Sequence, residues 1–244
     1  MKSAAFAQIE ALGFAVLGEV VEEATVARVV AGVEGHLAAF PGDGSAGLRD
    51  LAATVGEIAE LAELPALRAL ASEVLGREAF AVRTLFFDKN PAANWKAAWH
   101  QDLTVAVRER REVAGFGPWS VKADIPHVQP PIAVLERMLT LRLHLDDCDA
   151  QNGALRVLPG SHRAGRLPPE AIQAWREKAG EVTCAAPRRG ALLMRPLLLH
   201  ASAPAARPRH RRVVHIEFAA EDLPGGLEWY EKGRVLAGKS CAGN

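Results

Sequence analysis

Trp99-His100-Gln101-Asp102 sets an imidazole and a carboxylate two residues apart. On a strand, residues i and i+2 face the same side, so His100 and Asp102 can share one metal ion. A distant histidine as third ligand would complete a facial set of two histidines and one carboxylate. Such a set leaves adjacent coordination positions open and suits non-haem Fe(II) chemistry, in which a co-substrate and dioxygen bind together. With 8 histidines and 29 carboxylates in 244 residues, a His-x-Asp/Glu match is expected about once by chance. The sequence holds His100-x-Asp102, His144-x-Asp146 and His215-x-Glu217. No histidine follows His215-x-Glu217, and His144-x-Asp146 leaves few strands before His200. His100-x-Asp102 has about five strand candidates before His200, enough for the chain to wrap back and bring the two ends together. The candidate metal ligands are therefore His100, Asp102 and His200.

A second group of residues follows. His200-Ala201-Ser202 precedes Arg211 by eleven residues, counted from the histidine. If His200 closes one strand and Arg211 opens its neighbour, Ser202 and Arg211 share a face near the metal. An arginine fork with a hydroxyl suits a carboxylate, which it pairs bidentately.

The elements that would carry these groups change type along the chain. Ser3 to Leu12 and Glu22 to Ala39 read as helices, the second with apolar Val26, Val29, Val30, Val33 and Leu37 at helical spacing. Phe14 to Val21 reads as a strand, Pro41 to Ser45 as a loop, and Leu64 to Leu75 as a helix ended near Gly76. After Arg77 strands dominate: Ala79–Phe87, Leu103–Val107, Met138–Asp146, Ala154–Leu158, Val182–Ala185, Ala191–Met194, Leu197–Ala201 and Val213–Ala219. Gln151-Asn152-Gly153 reads as a hairpin turn between two of them. Short strands joined by turns, with helices collected at the N-terminus, predict a mainly β domain of sandwich or barrel type with a helical flank over residues 1–76. Residues 108–137 hold Gly115, Gly117, Pro118, Pro126, Pro130 and Pro131 together with Trp119, Ile125 and Val128; a connection this long reads as an ordered lid.

Composition limits the partners. Lysine and arginine number 29, aspartate and glutamate 29, so the net charge is zero, and 49% of residues are hydrophobic. Nucleic-acid backbones and anionic membranes call for a basic excess, so neither is an expected partner. No apolar run is long enough to span a membrane, and the N-terminus does not read as a signal peptide. Cys148, Cys184 and Cys241 are odd in number and unrelated in spacing, which suits a reducing cytoplasm. One domain over residues 1–244, acting on a small molecule as monomer or homodimer, is the expectation.

The motifs together resemble the phytanoyl-CoA dioxygenase family of Fe(II)- and 2-oxoglutarate-dependent oxygenases. The resemblance rests on Trp99-His100-Gln101-Asp102, on Asn152-Gly153-Ala154-Leu155 with Pro159-Gly160-Ser161-His162, and on His200, Ser202 and Arg211, in that order, and runs from about Phe14 to Phe218. It implies a double-stranded β-helix (a jelly roll of cupin type). It also implies iron on His100, Asp102 and His200, and Arg211 with Ser202 on the distal carboxylate of 2-oxoglutarate. Leu85 and Arg83 lie on a strand where the family places co-substrate contacts; an inward Arg83 and a surface Arg83 both remain open. One departure stands out. Eleven residues before Gly153 many members carry an aromatic residue; here Arg142 stands, with His144 two further on. By alternation both point inward. An inward arginine implies an anion in the pocket or an ion pair with a residue such as Asp124.

Further substrate-contact candidates are Trp99, Gln101, Trp119 and His127, with Lys122 and Gln129 beside them. Lys89 reads as a structural turn residue at a strand end, His162 as structural, and Arg207–Arg212 as a solvated turn around Arg211. The implied reaction is hydroxylation of an unactivated C–H bond of a small anionic metabolite, with 2-oxoglutarate and O2 consumed and succinate and CO2 released. Related halogenases lack the carboxylate ligand, so Asp102 speaks for oxygen transfer. Two alternatives stay open: an oxygenase of nucleobases, and a non-catalytic jelly-roll protein that keeps the metal site.

Overall fold

The computed structural model describes residues 3–40 and 47–233. The expected loop at Pro41–Ser45 and Cys241 lie outside them. Helix α1 (Ala4–Leu12) is capped by the Ser3 hydroxyl, which accepts from the Phe6 N–H, and ends at Gly13 in the left-handed region. Strand β1 (Phe14–Glu19), α2 (Glu23–Ala39), β2 (Leu48–Arg49), α3 (Leu51–Thr54), α4 (Gly56–Ala62) and α5 (Pro65–Leu75) follow. The chain continues through β3 (Phe80–Lys89), β4 (Ala97–His100), β5 (Val105–Ala106), β6 (Trp119–Lys122), β7 (Ile125–Val128), α6 (Ile132–Glu136) and β8 (Met138–His144). It ends with β9 (Leu155–Val157), α7 (Pro169–Lys178), β10 (Val182–Cys184), β11 (Gly190–Met194), β12 (His200–Ser202) and β13 (Arg211–Ala219).

Two antiparallel sheets build the jelly roll. The larger has the order β1-β11-β8-β13-β3-β2 and the smaller β10-β9-β12-β4. Alternation gives the large sheet two different faces. Its outer residues, among them Phe86, Leu141, Leu143, Val214, Ile216 and Phe218, form one core with α2, α4 and α5 through Val26, Val29, Val33, Ile58 and Leu67. The expected apolar stripe of α2 is thus the face that binds it to the sheet. On the inner face Phe14, Leu192 and Met194 meet Leu155, Val157 and Cys184 of the small sheet. That packing closes one end of the space between the sheets. The other end stays polar. No helix among the described residues is long and apolar enough to cross a membrane.

Several expected elements differ. Asn152-Gly153 does not close a hairpin: β8 belongs to the large sheet and β9 to the small one. The Asn152 side chain accepts from Asp149 N and donates to the Asp147 carbonyl, and Gly153 has φ +81°. This side-chain-stapled turn carries the chain from one sheet to the other. Of the expected Leu103–Val107 strand, Val105–Ala106 pairs with β7 and Val107 forms an isolated bridge with Trp229. The expected Leu197–Ala201 strand starts at His200, because the Leu198 and Leu199 N–H groups are taken by Arg195 and by the Ser161 hydroxyl. Residues 108–137 are no plain loop. β6 and β7 form a hairpin that joins β5 in a three-stranded sheet, and Val128 and Phe116 pack beside Leu135 and Trp229.

Candidate active site

His100 ends β4 and His200 opens β12, and the two are register partners across the small sheet. Their rings lie with centroids 4.2 Å apart. Asp102 lies past the end of β4 and not on the strand as expected; its N–H donates to the Pro196 carbonyl at 2.9 Å. That bond turns the carboxylate to the same side as the two rings. Asp102 Oδ1 is 3.9 Å from His100 Nε2, and Oδ2 is 3.7 Å from His200 Nε2. One ligand atom from each residue falls within 4.8 Å of the others.

The donor set fits a divalent ion in three respects. Each imidazole holds a backbone carbonyl with Nδ1, His100 that of Ala98 at 2.7 Å and His200 that of Leu198 at 2.9 Å. The Nε2 lone pairs are thereby turned toward Asp102, as in histidines oriented for a metal. Asp102 Oδ2 is buried and has no hydrogen-bond partner. Finally, burial pushes the Asp102 carboxyl up, but His200, His215, His100 and Arg83 outweigh it and hold it at about 2. Burial pushes the His200 imidazole down to about 4. An ionised carboxylate and a neutral imidazole are the states that metal binding requires.

The large sheet faces this cluster with polar rows. On β13 the inward residues are Arg211, Val213, His215 and Glu217; on β3 they are Lys89, Phe87, Leu85 and Arg83. Register sets Arg211 beside Lys89, His215 between Leu85 and Arg142, and Glu217 beside Arg83. Arg49 of β2 extends the middle row as the partner of Leu85. A cavity of about 360 Å³ runs between this face and the three candidate ligands.

At one end of the site Arg211 is buried, donates to the Gly153 carbonyl at 3.2 Å, and has no partner at Nε. Ser202 lies in the opposite sheet and not on a neighbouring strand, so the pair faces across the cavity. Lys89 is no turn residue. It is fully buried on β3 and donates to Ser202 Oγ at 2.9 Å and to the Ala203 carbonyl at 2.6 Å. Burial and the adjacent Arg211 push its ammonium down to about 8. At the other end Arg83 points inward and pairs with Glu217 at 3.0 Å. Arg142 also faces the cavity and donates to His215 Nδ1 at 2.9 Å. That acceptor role puts the His215 proton on Nε2, 3.4 Å from Glu217 Oε1. Asp124, the alternative partner for Arg142, sits exposed in the β6–β7 turn.

Other candidates fall elsewhere. Trp99 points to the outer face of β4, beneath Arg156 and Arg176, and does not line the cavity. Alternation predicts this, since its neighbour His100 faces in. Gln101 reaches the cavity edge, but its amide is fully used by the Gly165 and Leu197 carbonyls and the Leu167 N–H. Trp119 anchors the 108–137 segment in an apolar cluster. His127 is buried with Nδ1 on the Ile125 carbonyl. His144 is buried with both ring nitrogens unpartnered, and burial next to Arg142 and Arg211 pushes it down to about 3. Gln129 pairs through its backbone with Gly117 and Pro118. Lys122 does line the cavity. His162 packs against Gly13. His215 and Glu217, set aside as a metal half-site, and Arg49, Trp95 and Thr104 also line the cavity. For His215 and Glu217 the signal was at hand: alternation from Arg211 puts residues 215 and 217 on its face.

Comparison with known proteins bears on the fold and the family. The family profile described as phytanoyl-CoA dioxygenase matches residues 9–213. No curated protein matches the chain. Among solved structures, AviO1 from Streptomyces viridochromogenes Tue57 is 21% identical with a TM-score of 0.65, over 92% of this chain and 98% of its own. SnoK, a non-heme alpha ketoglutarate dependent carbocyclase from nogalamycin biosynthesis, is 14% identical with a TM-score of 0.71, over 91% and 85%. EctD from S. alaskensis, solved with 2-oxoglutarate and 5-hydroxyectoine, is 20% identical with a TM-score of 0.69, over 90% and 76%.

Proposed function

The chain belongs to the phytanoyl-CoA dioxygenase family and is an Fe(II)- and 2-oxoglutarate-dependent dioxygenase, and on that premise we propose that it hydroxylates an unactivated C–H bond of a small anionic metabolite, with release of succinate and CO2. One observation carries the reading: three ligand-type side chains with free Nε2 and carboxylate atoms face the same cavity as a buried, under-partnered arginine. His100, Asp102 and His200 would hold the iron. Bound iron and 2-oxoglutarate supply the activation of dioxygen and the oxidising power.

The chain's own residues bind, orient and shield. Arg211 offers its guanidinium to the distal carboxylate of 2-oxoglutarate. Ser202 Oγ accepts from Lys89, so the hydroxyl's own proton is free to donate to that carboxylate. Leu85 and Phe87 form an apolar wall beside it, which limits water around the charged groups. Arg142, held by His215 and lying over the Phe87 ring at 5.3 Å, presents a positive charge to the substrate space. The 108–137 segment brings Lys122 to the same space from outside the jelly roll and acts as its cover. Asp102 keeps a carboxylate where halogenases have none, which supports hydroxylation. The family name does not choose the substrate.

Anaerobic titration with Fe(II) and then 2-oxoglutarate tests the reading. A visible metal-to-ligand charge-transfer band and succinate release are expected in the parent chain. In Asp102→Ala the band is lost and succinate release falls more than about a hundredfold, since a removed ligand costs at least as much as a removed supporting group. Succinate release at parental rate in that variant would sink the ligand assignment.

A further inference from the structure

The cavity holds more positive charge than iron and 2-oxoglutarate account for. Arg49, Arg83, Lys122, Arg142 and Arg211 line it, against the carboxylates of Asp102 and Glu217. The divalent ion adds as much positive charge as the diacid removes, so a surplus of cations is left. Arg211 is assigned to the diacid, Arg83 is paired with Glu217, and Arg142 is hydrogen-bonded to His215. Arg49 and Lys122 remain. Among the described residues neither makes an ion pair. Arg49 Nη1 is buried without a hydrogen-bond partner, and Lys122 Nζ has only the Thr104 hydroxyl, at 3.3 Å.

These two cations come from separate parts of the chain. Arg49 lies on the edge strand β2, beside Leu85. Lys122 ends β6 in the segment that covers the cavity. Along β13 the row of Arg49 lies four residues from Arg211, about 13 Å of extended backbone. Burial pushes both cations below their usual ranges and Arg83 repels each of them, and the attraction of Glu217, joined by Asp102 at Lys122, only partly offsets this. His127 is also pushed down, to about 4, by burial and by Arg83, Lys122 and Arg49. Like charges collected out of water are costly unless an anion completes them.

We propose that Arg49 and Lys122 form an anion subsite, separate from the Arg211 clamp, that takes a carboxylate or phosphate group on the molecule to be oxidised. The proposal rests on the reading of this cavity as an oxygenase active site. The covering segment then closes on the substrate through a charge pair, and uncharged analogues lose that hold.

The test fills the Arg211 end first. Protein loaded anaerobically with Fe(II) and 2-oxoglutarate is titrated calorimetrically with inorganic phosphate and, separately, with acetate, against chloride at equal ionic strength. One site for at least one of the two anions is expected, and the arm that binds identifies the group. Its affinity should fall about tenfold or more in Arg49→Gln and in Lys122→Gln, the effect of one charge-assisted hydrogen bond. The 2-oxoglutarate affinity of both variants should stay within about twofold, and their thermal midpoints should match the parent. Both side chains are partly exposed, so the variants keep the fold. Binding of neither anion, or binding unchanged in both variants, overturns the proposal. So does a loss of 2-oxoglutarate affinity in Arg49→Gln, which would put Arg49 in the co-substrate clamp. If the parent chain fails to take up Fe(II) and 2-oxoglutarate, the oxygenase reading fails instead. Phosphate and acetate titrations of the metal-free parent and variants then decide the subsite alone.

Discussion

Replacing Lys89 with methionine separates what this residue does for the fold from what it does for the site. Its ammonium is fully buried, bonded to Ser202 Oγ and the Ala203 carbonyl, and held at about 8 by burial and Arg211. A lysine in the unfolded chain titrates near about 10.4. Between about pH 8 and 10.4 the unfolded chain holds the proton and the folded chain does not, so stability rises with pH across that window. Below pH 8 both states are protonated, and the folded state carries the whole penalty, about 3 kcal/mol. Lys89→Met removes the penalty and two hydrogen bonds of about 1 kcal/mol each. The net gain at pH 7 is about 1 kcal/mol, a rise of about 2–4 °C in the thermal midpoint for a chain of this size. Affinity for 2-oxoglutarate moves the other way. The Ser202 hydroxyl loses its orientation and one charge disappears beside Arg211, a loss of about tenfold or more. Thermal melting at pH 7 and at about pH 9.5, with anaerobic 2-oxoglutarate titration, measures both effects. A variant that melts well below the parent at pH 7 and binds 2-oxoglutarate as tightly would refute the reasoning and leave Lys89 a packing residue.

Two further expectations follow from the same cavity and its surroundings. Gly153→Ala forces a left-handed φ of +81° on alanine and brings a Cβ to 3.1 Å from the Ala203 carbonyl and 3.2 Å from Lys89 Nζ; chemical denaturation should show a loss of about 1–3 kcal/mol, with weaker 2-oxoglutarate binding. Glu231 is buried and receives the Thr84 N–H, yet burial raises its carboxyl to about 7. The unfolded chain releases that proton near about pH 4.3, so stability should fall as pH rises from about 4.3 to 7. In Glu231→Gln, urea midpoints at the two ends of that window should differ less than in the parent.

Much of this was legible in the sequence for local reasons. Helices α1, α2 and α5 announce themselves by apolar spacing and by Ser3, Gly13 and Gly76 at their ends. The candidate ligands and Arg211 were readable because chemistry demands those residue types in that order. The topology around Asn152-Gly153 was not, since the same dipeptide serves a hairpin and a crossover, and the choice depends on sheets formed far away in sequence. Helix α7 was missed because it is polar overall, lies between two short strands and buries no residue. Trp99 and Trp119 read as substrate contacts for their chemistry alone, but the faces they occupy are set by His100 pointing inward and by the apolar cluster around Leu135. Arg49 carried no local signal at all. Its place in the site comes from β2 pairing with β3.

The cross-strand pairing of His100 with His200 ties two halves of the candidate metal centre across a hundred residues of chain. Closing a loop of that length costs entropy that only the assembled sheets repay. A nascent chain that has not yet delivered β12 therefore carries an imidazole and a carboxylate but no third ligand. On the proposed ligand set, capacity to hold iron tightly arrives with the completed fold, so a redox-active ion would be admitted only once there are walls to contain what it does.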